Sequence, residues 1–344
     1  MIRFRGDVNI IINFENPYKT IPFFVSVLLI LATLIGGCIS SDYPSHNPIT
    51  PAPVKEYLKF NSTFDKYSAN IEIEQIPESI LLYKAEKSDY SKDWASSLAK
   101  RLGLSGKMSE YQSGFMNEDF ERNARSLTIN SDSGIISFNS DMFRRDNYPD
   151  KDKPQNLPPD DLVLMNVTVF LQSQNLLFPD AEYAGMAHSG TEHINESNKK
   201  EVIRQTKSVF YQRILNGRKV LNSKIMVVEG EDFDIVYLGV HWRNYTPFIE
   251  VPVKPVETAF REFATKELWC TKISGIPDKV EVLKLTLAYY SQVPAAAESE
   301  KYLQPVYVFE SHAQKGNVSS TCSPVYIPAT TEQFDSIPGC NYGV

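Results

Sequence analysis

The chain has 344 residues, a formal net charge of −7, and 42% hydrophobic against 22% charged residues. That balance is the one expected of a folded chain long enough for two ordinary domains, and it excludes wholesale disorder. The acidic surplus, with no basic stripe interleaved with aromatics, argues against nucleic acid as a partner.

At the N-terminus, Arg3, Arg5 and Lys19 precede an uncharged run from Ile21 to Leu34. The run has the length of a signal-peptide apolar region and is short for a membrane span. It leads into Ile35-Gly36-Gly37-Cys38. This resembles the lipobox of secreted lipoproteins, in which an aliphatic and two small residues precede a lipidated cysteine. Residues 1–37 then form a leader, Cys38 carries the lipid, and the rest stands on the outer face of the membrane. The alternative is an uncleaved signal-anchor, with Ile21 to Ile39 crossing a thin bilayer, and it leaves the body on the same side. Residues 38–54 are rich in Ser and Pro and read as a linker.

Ile71 to Glu74 alternates like an edge strand, and Ile80 to Ala85 is a second short strand. Ser91 is placed to cap a helix over Lys92 to Leu102, with Trp94, Leu98 and Leu102 on one face and Gly103 at its end. Ser126 to Asn130 and Ile135 to Asn139 flank a turn at Ser133-Gly134, and a second helix is expected to begin near Pro159. Ser208 to Leu215 and Val220 to Val228 flank Asn216-Gly217, a type I′ hairpin signal. Phe233 to Trp242 continues the meander, with apolar residues on both faces. Pro255 opens a helix carrying Val256, Ala259, Phe260 and Phe263 on one side. Two long strands follow, Lys279 to Ser291 and Tyr302 to Ser311, and Leu283, Leu285, Leu287 and Tyr289 alternate along the first.

Phe178-Pro179-Asp180 and Ile276-Pro277-Asp278 mark matching points in two copies of a hairpin, helix and strand. That suggests a duplication with a period near a hundred residues. The Tyr211 strand, Asn216-Gly217, Ile225 to Val228, Leu285 to Tyr290 and Leu303-Gln304-Pro305-Val306-Tyr307 resemble a PepSY-type domain. More closely they are similar to the extracytoplasmic domains of YycH/YycI-type regulators, and the anchor is similar to lipoproteins of methanogenic archaea. The resemblance implies an α+β fold: tandem repeats of an antiparallel sheet packed by a helix. It places an N-terminal domain at 55–200, a second at 201–311 and a Pro-rich tail at 312–344. It implies no catalytic residue, and a role in binding or restraining a protein or peptide partner.

Three cysteines remain besides Cys38. Outside the cell a pair is expected to oxidise, and Cys322 and Cys340 share the tail, so that pairing is expected over one with Cys270. Zinc is the weaker reading, because no CxxC is present. Asn61, Asn195 and Asn317 are candidate glycosylation sites. Asn166 and Asn244 are poorer, one on a helix and one followed closely by Pro247. His188, Glu192 and His193 are zinc-type ligands at the wrong spacing, in a segment read as a loop. Two acidic clusters, Asp146, Asp150 and Asp152 and then Glu229, Glu231, Asp232 and Asp234, lack the order of a calcium loop. No metal or cofactor is expected. No stretch holds a nucleophile beside a base. Tyr237, Trp242, Tyr289 and Tyr307 are the candidate partner-binding aromatics. A lipid-anchored binding or regulatory module is the function expected; a hydrolase with a dispersed site and a structural envelope protein are the alternatives.

Overall fold

The computed structural model describes residues 13–14, 56–88, 90–111, 114–119, 125–140, 156–194, 200–292 and 300–335. The first strands are β1 (Asn13–Phe14), β2 (Tyr57–Phe64), β3 (Tyr67–Glu74) and β4 (Ser79–Glu86). Helix α1 (Lys92–Arg101) precedes β5 (Ser109–Tyr111), β6 (Gly114–Asp119), β7 (Arg125–Asn130) and β8 (Ile135–Asn139). Helix α2 (Asp160–Ser173) leads to β9 (Ala181–Ile194), β10 (Lys200–Leu215), β11 (Arg218–Glu229), β12 (Ile235–His241) and β13 (Asn244–Pro252). Helix α3 (Val256–Phe263) is followed by β14 (Lys279–Tyr290), β15 (Tyr302–Lys315), β16 (Val318–Thr321) and β17 (Val325–Pro328).

A first ladder, antiparallel throughout, runs β1-β9-β10-β11-β12-β8-β7-β6-β5. A second runs β2-β3-β14-β15, with β16 and β17 pairing successive stretches of β15. Strand β4 joins the end of β15 and carries β13. The start of β11 links the ladders, with Val220 and Leu221 parallel to Tyr289 and Tyr290.

Each ladder has its own core. Under α1 and α2, Leu98, Val163, Val167 and Leu171 pack on Leu127, Ile136, Val209, Val227 and Leu238. Under α3, Phe260 and Phe263 pack on Phe60, Tyr67, Leu285 and Phe309. The Phe263 and Phe309 rings stack at 4.7 Å, and Tyr67 meets Phe263 edge-on at 5.5 Å. Residues from Phe60 to Tyr83 and from Val251 to Ala329 share this second core. The chain therefore starts it, leaves to build the first core, and returns through β13 beside β4.

The local chemistry explains the elements that form as expected. Ser91 Oγ accepts from the Trp94 amide at 3.2 Å and caps α1. Asn216 and Gly217 both adopt positive φ, as a type I′ turn demands. Pro159 and Pro255 sit at the N-caps of α2 and α3.

The architecture differs from helix-packed α+β repeats. Among the described residues 55% are strand and 15% helix, in one large mixed sheet. The boundary expected at 200/201 falls between the paired strands β9 and β10. The expected tail adds β16 and β17, and Val325 and Ile327 enter the second core. Nor are the two Pro-Asp turns equivalent. Asp180 holds Arg213 and Trp242, whereas Asp278 caps the Gly316 amide at 2.8 Å. The segment read as a loop around His188 is strand β9. Leu283 is exposed because the register shifts between Val282 and Lys284, a bulge that moves Val280 and Val282 into phase with Leu285.

Candidate functional site

Three of the four candidate aromatics face inward. Trp242 stacks on Phe178 at 4.8 Å and donates to Asp180 Oδ1 at 3.2 Å. Tyr289 and Tyr307 are fully buried and donate to the carbonyls of Leu81 and Lys254 at 2.7 and 2.6 Å. These rings tie strands together and are not a partner surface, because a buried aromatic with one polar tip seeks an internal acceptor. Tyr237 lies on the opposite face from Val236 and Leu238, half-buried. Its ring covers Gly239, where an added Cβ would meet the hydroxyl at 2.6 Å.

The concave site is elsewhere. Cys322 pairs with Cys270, correcting the expected bond to Cys340. Strand β16 lies against β15, and the Cys322 amide donates to Ser311 at 3.0 Å, which brings Cys322 to the loop after α3. Cys340 lies outside the described residues. That loop lines a cleft of about 800 Å³ with the β2–β3 turn, Asp65 to Tyr67. Its wall combines exposed Trp269 and Ile276 with Leu268, and the charges of Asp65, Lys66, Lys266 and Glu267.

The wall is fixed at several points. Beside the disulfide, the Ser323 amide donates to Trp269 O at 2.7 Å and the Lys272 amide to Ser320 Oγ at 3.1 Å. Lys66 Nζ donates to Pro277 O at 3.1 Å and Lys315 Nζ to Ser274 O at 2.6 Å. Gly275 adopts φ +74°, which a side chain would strain. A pre-formed cleft with apolar walls and a few charges suits binding. Cys270 is oxidised, and the lining holds no histidine.

A polar row closes one end of the first core. His188, Lys207 and Glu229 stand in register on β9, β10 and β11. Lys207 Nζ donates to Asp160 and to the Pro158 carbonyl, and His188 Nε2 lies 3.1 Å from Asp160 Oδ1. Burial pushes the Asp160 carboxyl up, but the hydrogen bonds from Lys207 and His188 outweigh it and hold it below the usual range. Glu229 is fully buried, accepts from Asn166 Nδ2 at 2.7 Å, and is pushed up by burial. Glu229 thus belongs to the core end and not to a solvated turn, and His188 meets a carboxylate and an ammonium. Among the described residues no group of three metal-type ligands converges.

A second polar cluster joins the two cores. Arg213 donates to Asp180 Oδ2 at 2.7 Å and lies about 5 Å from the rings of Trp242 and Tyr245. Tyr245 Oη is 3.1 Å from both Glu300 carboxyl oxygens and 2.8 Å from Ser291 Oγ. Arg243 Nη1 is 3.6 Å from Glu300 Oε2. Burial raises Glu300 to about 7, against the opposing pull of the Gln292 amide, Arg243 and Tyr245. Burial lowers His241 nearby to about 4, although its bond to the Asn222 carbonyl works the other way. Isolated charges resist low dielectric, so the cluster is held by mutual pairing.

Asn61 on β2 and Asn317 in the β15–β16 turn are exposed. Asn166 is engaged with Glu229, and Asn244 opens β13. Of the leader only Asn13 and Phe14 are described, as β1 beside β9, and the linker, Cys38, Asp146, Asp150, Asp152 and Asn195 lie outside the described residues; Glu192 and His193 pair with Val202 and Glu201 in the β9–β10 ladder. Among the described residues no helix is long and apolar enough to cross a membrane.

No family model and no curated protein matches the chain. An uncharacterized protein from Eubacterium rectale ATCC 33656, known from its crystal structure, is similar at a TM-score of 0.46 and 12% identity, over 81% of this chain and 93% of that one.

Proposed function

We propose that the protein is a lipid-anchored extracytoplasmic binding module that holds a segment of a protein or peptide partner in the disulfide-stapled cleft. The observation that carries this is the cleft itself. Trp269 and Ile276 stay exposed on a wall that a disulfide and two lysine–carbonyl bonds hold in place. Preorganisation of that kind lowers the ordering cost of binding. Exposed aromatic and aliphatic side chains flanked by charges suit a peptide with an apolar anchor. The disulfide supports an oxidising compartment, in keeping with the leader and lipobox read from Ile21 to Cys38.

Peptides selected from a random library on the oxidised full chain should bind with a Kd on the order of micromolar, as single-anchor contacts do. They should lose at least roughly tenfold, about 1.4 kcal/mol, on Trp269→Ala and again on reduction. Selected peptides indifferent to both changes would overturn the assignment of the cleft.

A further inference from the structure

Helix α2 is apolar on two sides. Val163, Val167 and Leu171 are buried, whereas Leu162, Met165 and Val169 are 38%, 54% and 57% exposed. Steps of three and four align these three into one stripe. The turn between β11 and β12 runs beside it. Asn166, one turn on from Leu162 at the edge of the stripe, donates to Glu229 at 2.7 Å and reaches the Phe233 carbonyl at 3.4 Å. The Asn156 amide, before the helix, donates to Glu231 at 2.7 Å.

Phe233 on that turn is exposed and has φ +63°, directly after Asp232 at φ +53°. A bulky residue in the left-handed region is an outlier, and glycine would meet the turn's needs at lower cost. Strain of this sort concentrates at functional positions. Here it holds an aromatic ring in solvent next to an exposed apolar stripe.

The surroundings are acidic. Asp161 lies in the first turn of α2, and Glu231, Asp232 and Asp234 on the adjoining turn. Neither segment contains Lys or Arg. Lys207, the cation beneath, is buried against Asp160. A second copy of the chain would set this rim against itself, and an anionic lipid surface would be repelled. We propose that this face docks a basic amphipathic segment of a partner protein. Apolar side chains lie along Leu162, Met165, Val169 and Phe233, and Lys or Arg side chains reach the carboxylate rim. The site is separate from the cleft and does not depend on it.

The test uses the full chain in detergent and a fluorescent 14-residue Leu/Lys peptide of helical period, with its Leu/Glu counterpart as control. The Leu/Lys peptide binds, and its affinity falls with salt. The double change Met165→Lys and Val169→Lys weakens it at least tenfold. Leu283→Lys, at an exposed apolar position on β14, leaves it unchanged. Phe233→Gly weakens it severalfold while the Tm holds or rises. Equal binding of the Leu/Glu peptide, or indifference to the double change, would overturn the proposal. So would a dimer of the chain alone that dissociates on Met165→Lys, which would identify a second copy as the occupant.

Discussion

Removing the Cys270–Cys322 bond by the double change to serine opens a loop of 52 residues. In the chain-entropy treatment a loop of that length restrains the unfolded state by about 14 cal/mol/K, or about 4 kcal/mol at 25 °C. Residual structure in the unfolded chain reduces the figure, and the β14–β15 hairpin lies inside the loop, so a loss of roughly 2–4 kcal/mol is expected. Against a total stability of ~5–15 kcal/mol this is a large share. Urea unfolding of the oxidised chain and the double variant gives the difference directly, and the oxidised chain in reductant should approach the variant. Peptide binding in the cleft should fall with it, since Trp269 loses its staple. A loss below about 1 kcal/mol would show that the restraint argument fails here. Non-reducing peptide mapping that joins Cys322 to Cys340 would refute the pairing itself.

The two titrating groups of the inter-core cluster oppose each other. Glu300 at about 7 keeps in the folded state a proton that the unfolded chain loses near its ordinary 4.5, so its contribution is complete below 4.5 and is lost as pH rises through 7. His241 at about 4 works in reverse: its contribution is present above 6.5 and is lost as pH falls through 4. Between these limits the slopes offset, so Glu300→Gln should make stability rise with pH from 4.5 to 6.5, and His241→Asn should make it fall. Urea midpoints at several pH values check both, and a flat profile in either variant would contradict the reasoning. Tyr307→Phe should destabilise by about 1–3 kcal/mol, because it leaves the Lys254 carbonyl without its donor in a buried site. Thermal unfolding measures it, and a change within a few tenths of a kcal/mol would mean that water replaces the hydroxyl.

Elements set by neighbours in sequence were legible; those set by distant pairing were not. Ser91, Asn216-Gly217 and the Val256–Phe263 face act within a few residues, and each forms the element its chemistry dictates. Strand β13 is mostly exposed and contains Pro247, so no alternation betrays it; its pairing with β4 makes it a strand. Strand β9 holds Gly185, Ser189 and Gly190, and is extended because β10 runs along it. The disulfide followed the β15–β16 ladder and not proximity in sequence. Of the site chemistry, one signal was present: Lys207 stands in phase with Val209 and Tyr211, and Glu229 with Ile225 and Val227, which places both charges on a core face. The aromatic pattern of Tyr289 and Tyr307 was equally visible, but burial and exposure look alike in a strand with large side chains on both faces.

The return of β13 beside β4 has a consequence for how the molecule comes into being. Ser68 and Val280 touch although 212 residues separate them, so the second core cannot close before nearly the whole chain is present. The first core draws its hydrophobic residues from Tyr90 to Trp242 and can assemble while the remainder is still arriving. β3 pairs with β2 and β4 with β13 earlier in the chain, but until β14 and β15 come the edge of β3 at Tyr67 to Ala69 and that of β4 at Tyr83 and Lys84 lack their partners, and open strand edges recruit wrong neighbours.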